Sequence, residues 1–82
     1  MDHDEFDRLF ASRSRPLRRT AYLLCGDWHR AEDLVQITFA KVYAAWPRVR
    51  EPLAMDAYLR RTLLRAHLDD RRRRWRGEVP TG

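Results

Sequence analysis

Apolar residues recur every three to four positions along most of the chain, and no stretch sustains a period-two alternation. This spacing predicts amphipathic helices and no sheet. In the first helical stretch, from about Asp4 to Leu24, Phe6, Leu9, Phe10, Leu17, Ala21 and Leu24 fall near one face. Pro16 interrupts it. Either one helix kinks there, or a short helix ends near Arg13 and a second starts with Ser14 as cap and Pro16 in its first turn. Gly26-Asp27 is sharp punctuation, a glycine past one helix end and an aspartate as N-cap of the next. The second stretch runs from Trp28 to about Trp46, with Ala31, Leu34, Val35, Thr38, Phe39, Val42 and Trp46 as its inward stripe. Pro47 stops it, and Arg48 to Ala54 read as a loop punctuated by Pro52. A last helix begins near Met55, and Met55, Tyr58, Leu59, Thr62, Leu63 and Ala66 repeat at helical spacing along it. The expected fold is all-α, a compact bundle of three or four helices.

Charge adds a polarity that the apolar pattern lacks. Between Arg60 and Arg76 eight arginines face only Asp69 and Asp70, a local charge of +6 in a chain whose net charge is +5, so the remainder carries −1. A single-sign field on one helix points to a polyanion, above all nucleic acid. Nearly all the cations are arginine, whose guanidinium forks grip phosphates and guanine edges in pairs and stack on bases. A GC-rich genome favours arginine codons, which accounts for abundance but not for clustering. At 82 residues the chain is one small domain that buries about 60% of its unfolded surface. No apolar run approaches the roughly 18 residues of a membrane span. The acidic N-terminus does not resemble a signal peptide, and the single cysteine, Cys25, has no internal partner. The expected location is the cytoplasm, with no membrane insertion.

Catalysis and metal binding find little support. Cys25 and His29 stand four apart, but Gly26-Asp27 breaks the helix between them and no second pair completes four ligands. No Gly-rich phosphate loop or nucleophile elbow occurs. Glu32-Asp33 and Asp69-Asp70 are adjacent pairs whose members diverge by about 100° on a helix. The expectation is a non-enzyme without cofactor or metal. The middle helix is more informative. Its inward stripe leaves Asp33, Gln36, Ile37, Ala40 and Ala44 on a second face. That face fits either a partner helix, admitted by small residues and kept in register by the polar pair, or a solvated surface with one stray isoleucine. Trp75, set among arginines, suits stacking on unpaired bases; the favoured expectation is that it folds back on the bundle.

The order of these features resembles conserved region 2 of bacterial RNA polymerase sigma factors of the extracytoplasmic-function group. The string Leu23-Leu24-Cys25-Gly26-Asp27, then Ala31-Glu32-Asp33-Leu34-Val35-Gln36, Thr38-Phe39 and Trp46, is similar to that family's signature. Ala57-Tyr58-Leu59-Arg60-Arg61 and the Arg71–Arg74 run resemble its DNA-facing end, and Trp75-Arg76-Gly77-Glu78-Val79-Pro80-Thr81 resembles a branch common in actinobacteria. The resemblance implies a region 2 domain over 1–76 and the start of an interdomain linker over 77–82. It implies that Asp33, Gln36, Ile37 and Ala40 dock on the clamp helices of the polymerase β′ subunit. It further implies that Arg48, Arg50, Arg60, Arg61, Arg65, Arg71, Arg72 and Arg74 serve the minus-ten promoter element, whose non-template strand is captured as the duplex opens. Anti-sigma proteins that cover these same two faces are an implied partner class.

Two positions depart from the family pattern. Arg65 stands where related sequences often have asparagine, and Ile37 where an acidic residue is usual. The helix-turn-helix module that reads the minus-thirty-five element is not among these residues. The alternative reading is a small arginine-rich helical adapter that binds RNA or a protein without a role in transcription initiation.

Overall fold

The computed structural model describes residues 3–48 and 54–78. Three α-helices follow one another: α1 (His3–Cys25), α2 (Trp28–Ala45) and α3 (Met55–Glu78). A 3₁₀ turn over Trp46–Arg48 prolongs α2. The all-helical expectation holds, with three α-helices.

α1 is continuous through Pro16, so neither the break near Arg13 nor a new start at Ser14 occurs. A proline deprives the carbonyl four residues earlier, that of Ser12, of its helical donor. Ser12 and Pro16 are both exposed, so that carbonyl faces water and the helix survives. At the other end Gly26 adopts φ 74°, and its N–H donates to the Tyr22 carbonyl at 2.7 Å, closing α1 with a left-handed cap. Asp27 follows in extended conformation, and its Oδ1 accepts from the N–H groups of His29 at 2.8 Å and Arg30 at 3.4 Å. Two residues therefore end one helix and start the next, which folds α1 and α2 into an antiparallel hairpin. The ring contacts show the direction. Phe6 meets Tyr43 and Trp46 edge-on at 5.0 and 5.4 Å at one end, and Tyr22 stacks on Trp28 at 4.0 Å at the other.

The inward stripe of α2 is buried throughout, from Ala31 to Trp46. Thr38 joins it because its hydroxyl donates to the Leu34 carbonyl at 2.7 Å, and Thr62 does the same toward Tyr58 at 2.8 Å. From α3, Met55, Leu59, Leu63 and Ala66 complete the core, and Leu17 and Ala21 close it from α1. Burying each leucine fully is worth about 1.5–3 kcal/mol. His67 is also buried on this side, and its Nδ1 has no hydrogen-bond partner among the described residues. At the end of α2 the Trp46 N–H bonds to the Tyr43 carbonyl, tightening the last turn into 3₁₀ geometry just before Pro47.

α3 is longer than the core it covers. Beyond His67 none of its described residues is buried. The helix also runs to Glu78, two residues into the segment expected to begin a linker. Arg13 of α1 ties down its first turn, with Nε 2.6 Å from Asp56 Oδ1. Both partners are well exposed, so this pair contributes at most about 1 kcal/mol. No helix among the described residues is long and apolar enough to cross a membrane.

Candidate nucleic-acid interface

The arginine face is built by the register that buries Leu59, Leu63 and Ala66. At 3.6 residues per turn, the opposite side of α3 carries Leu64, Leu68 and Trp75 in one line. Arg61, Arg65 and Arg72 run along one flank of that line, and all three are exposed. Arg71 lies on the other flank, also exposed. Arg60 turns toward α1 and lines a cleft with Arg13, Pro16 and Asp56. Arg74 is half-buried and faces the start of α2, sharing a cleft with Arg30. Arg48 is exposed at the end of the 3₁₀ turn. Arg50 lies outside the described residues, as does most of the expected loop with Pro52.

Ion pairing takes up little of this charge. Arg73 approaches Asp70 at 4.0 Å, a loose contact one helical turn apart. Among the described residues Arg61, Arg65, Arg71, Arg72 and Arg74 form no ion pair. A row of unpaired guanidinium groups on one helix can neutralise successive phosphates and release their counterions. Lys41, the only lysine of the chain, extends this field onto α2. It lines a cleft with Ile37, Asp69, Arg72 and Arg73. A lone lysine on α2 gave no sequence signal, because only packing brings it beside the arginines.

Trp75 does not fold back. It is 71% exposed, contrary to the expectation that it would pack on the bundle. Past His67 the core has no surface left for another ring.

The candidate docking face of α2 is split by its neighbours. Asp33, Ala40 and Ala44 are exposed along its centre. Gln36 is exposed at the α1 side, in a cleft with Phe10, Arg15, Arg18 and Glu32, across which Arg18 Nη1 and Glu32 Oε1 pair at 3.0 Å. Ile37 differs from the exposed residue expected. It is half-buried against the core on the α3 side. The structure also adds Phe10, 45% exposed although its ring lies tilted against Phe39 with centroids 4.8 Å apart. Its place in the apolar register of α1 marked it as core, and the sequence pattern alone could not show that α2 leaves half its ring uncovered.

Cys25 is half-buried and its thiol donates to the Asp27 carbonyl at 3.3 Å. Among the described residues no three of His, Cys, Asp and Glu come together.

An all-helical domain whose last helix carries a row of exposed arginines beside a small-residue face is the architecture implied by the Ala31–Gln36 signature. The family model for sigma-70 region 2 matches residues 9–77, and the chain belongs to that family. It is 35% identical over 77 residues to an RNA polymerase sigma-E factor of Streptomyces coelicolor, a match covering 94% of this chain and 44% of that protein. Similar matches are the sigma-E factors of Streptomyces antibioticus, at 35% identity, and Streptomyces avermitilis, at 34%, each covering 94% of this chain and 43% of the relative. The chain thus spans under half the length of these curated relatives. No solved structure matches it.

Proposed function

We propose that this chain is the polymerase-binding and minus-ten-binding domain of a sigma factor of the extracytoplasmic-function group. The observation that carries the reading is the pairing of its two faces within the family match. α2 presents Asp33, Gln36 and Ala40 to solvent, and α3 presents exposed arginines on a neighbouring surface. A surface with small residues and one polar pair suits a protein helix, since small side chains allow close approach and the polar pair fixes register. A surface of arginines suits phosphates.

In this mechanism α2 docks on the clamp helices of the β′ subunit. Ile37 supports the face from its edge. α3 then lies along the promoter, where Arg61, Arg65, Arg71 and Arg72 hold phosphates, with Arg48, Arg50, Arg60 and Arg74 nearby. The segment from Arg48 to Met55 supplies sequence choice by taking up an unpaired base of the non-template strand. The domain does no covalent chemistry. It acts inside the cell, and a protein that covered both faces would hold it inactive, which is the role proposed for an anti-sigma partner.

Co-purification with RNA polymerase core tests the reading, and an arginine-rich adapter would not co-purify. Asp33→Ala and Gln36→Ala are expected to weaken core binding while shifting stability by less than about 0.5 kcal/mol, because both side chains are exposed. Unchanged binding with a folded variant would remove the α2 docking claim.

A further inference from the structure

The three tryptophans are treated differently by the fold. Trp46 is buried at the end of the hairpin. Trp28 is half-exposed, but Tyr22 stacks on its ring at 4.0 Å and the Arg18 guanidinium lies 5.5 Å from its centroid. Trp75 is 71% exposed, and among the described residues no aromatic ring or guanidinium covers it. Most of its surface is uncovered, so core packing does not explain its presence.

Its surroundings are specific. Trp75 lines an open cleft of about 510 Å³ together with Leu68, Arg71, Arg72 and Arg74 of α3 and Arg30 of α2. That volume lies in the range of small-ligand sites, about 300–1,000 Å³. Two helices build the cleft, so it is not merely the outside of one. Among the described residues that line it, four are arginines and none is a carboxylate, which selects for an anion. Two described carboxylates flank arginines of this region without lining the cleft. Asp27 caps α2 and stands 3.9 Å from Arg30, and Asp70 pairs loosely with Arg73.

From this juxtaposition we infer that the Trp75 cleft is a stacking subsite for one unpaired base of a single-stranded nucleic acid. The base lies on the indole, against Leu68, while Arg30, Arg71 and Arg74 hold the adjoining phosphates. A base presents an apolar face and a nearby negative charge, the combination the cleft offers. Sequence specificity is not required of it, because every base has a π-face. The inference rests on the reading of α3 as the nucleic-acid-binding helix and adds to it a second point of contact, distinct from the segment between Arg48 and Met55.

The test uses the 82-residue chain and two fluorescent single-stranded probes of about ten nucleotides, a length within the site sizes of such proteins. One is oligo(dT). The other has the same backbone with abasic sugars throughout. The wild type is expected to bind oligo(dT) at least fivefold more tightly than the abasic probe. Trp75→Ala should lower oligo(dT) affinity by about fivefold or more, the loss expected on removing one aromatic platform, and should leave abasic binding unchanged. Trp75→Phe should retain most of the preference. Arg74→Ala should weaken both probes alike and reduce the salt slope, which Trp75→Ala should not do. Equal oligo(dT) affinity for wild type and Trp75→Ala would overturn the inference and leave the cleft to a protein partner. Unchanged affinity in both Arg61→Ala and Arg72→Ala would instead overturn the reading of α3, so the two failures are distinct.

Discussion

Gly26 carries the sharpest conformational demand among the described residues. Its φ of 74° lies where a β-carbon meets the following carbonyl, yet a β-carbon added there would meet no other atom within 4 Å. The cost of Gly26→Ala is therefore backbone strain alone, about 1–2 kcal/mol. In a domain of this size that lowers Tm by roughly 4–8 °C per kcal/mol. Gly26→Asn should cost less, since asparagine visits the left-handed region more readily. Thermal melting of both variants checks this, and an Ala variant as stable as wild type would contradict the assigned turn. The neighbouring residue offers a second check. Asp27→Ala removes the acceptor for two N–H groups of α2 and should cost about 1 kcal/mol, again read as a fall in Tm. These two residues were legible from the chain because their roles are local. Trp75 was not, since its exposure depends on where the core ends, and Ile37 was not, because α3 rather than α2 decides how deeply it sits.

At the level of the helix, charge and register are separable properties of α3. Its buried row follows from the apolar spacing of Met55, Leu59, Leu63 and Ala66, and that spacing was enough to place Arg61, Arg65 and Arg72 outside. His67 joins the buried row without a sequence signal, since a histidine among arginines reads as polar. The continuity of α1 through Pro16 was equally hidden. Both arrangements obey the rule for proline, and the choice rests on the Ser12 carbonyl facing water. The exposed face of α2 at Asp33, Gln36, Ala40 and Ala44 was readable in outline, while its α1 border at Phe10 and the cleft at Lys41 required packing. For the basic row the expected outcome is quantitative. Replacing Arg61, Arg65 or Arg72 by alanine should lower affinity for DNA and reduce the slope of log affinity against log salt by about one for each phosphate no longer neutralised. If Arg65 reaches a base edge, its removal should relax preference at one position by about 1–3 kcal/mol with the slope unchanged. Titrations at several salt concentrations, with matched and mismatched strands, separate these outcomes. Three unchanged slopes would mean that phosphates are held elsewhere.

The whole molecule sets the exposed face of α2 beside the arginine row of α3 on one hairpin-based core, with Ile37 and Lys41 lying between them against α3. On the proposed function this arrangement couples two binding events. One basic helix can hold phosphates of intact duplex, but a single stacking platform at Trp75, worth about 1–3 kcal/mol, does not by itself offset the several kcal/mol needed to unstack and unpair a promoter segment. Alone, the domain should therefore bind duplex weakly and without sequence preference, and single-stranded non-template minus-ten DNA somewhat more tightly. When Asp33 and Gln36 are engaged by polymerase core, α3 is held in place relative to the DNA, and the rotational and ordering cost of capturing the strand falls. The preference for the non-template strand should then strengthen, and Asp33→Ala should diminish that gain while leaving the affinity measured without core unchanged. Fluorescence anisotropy with duplex, template strand and non-template strand, each with and without core, measures all of these quantities. Equal affinity for the two single strands in the presence of core would defeat the capture mechanism, and an Asp33→Ala variant that kept the full gain would detach the α2 face from it.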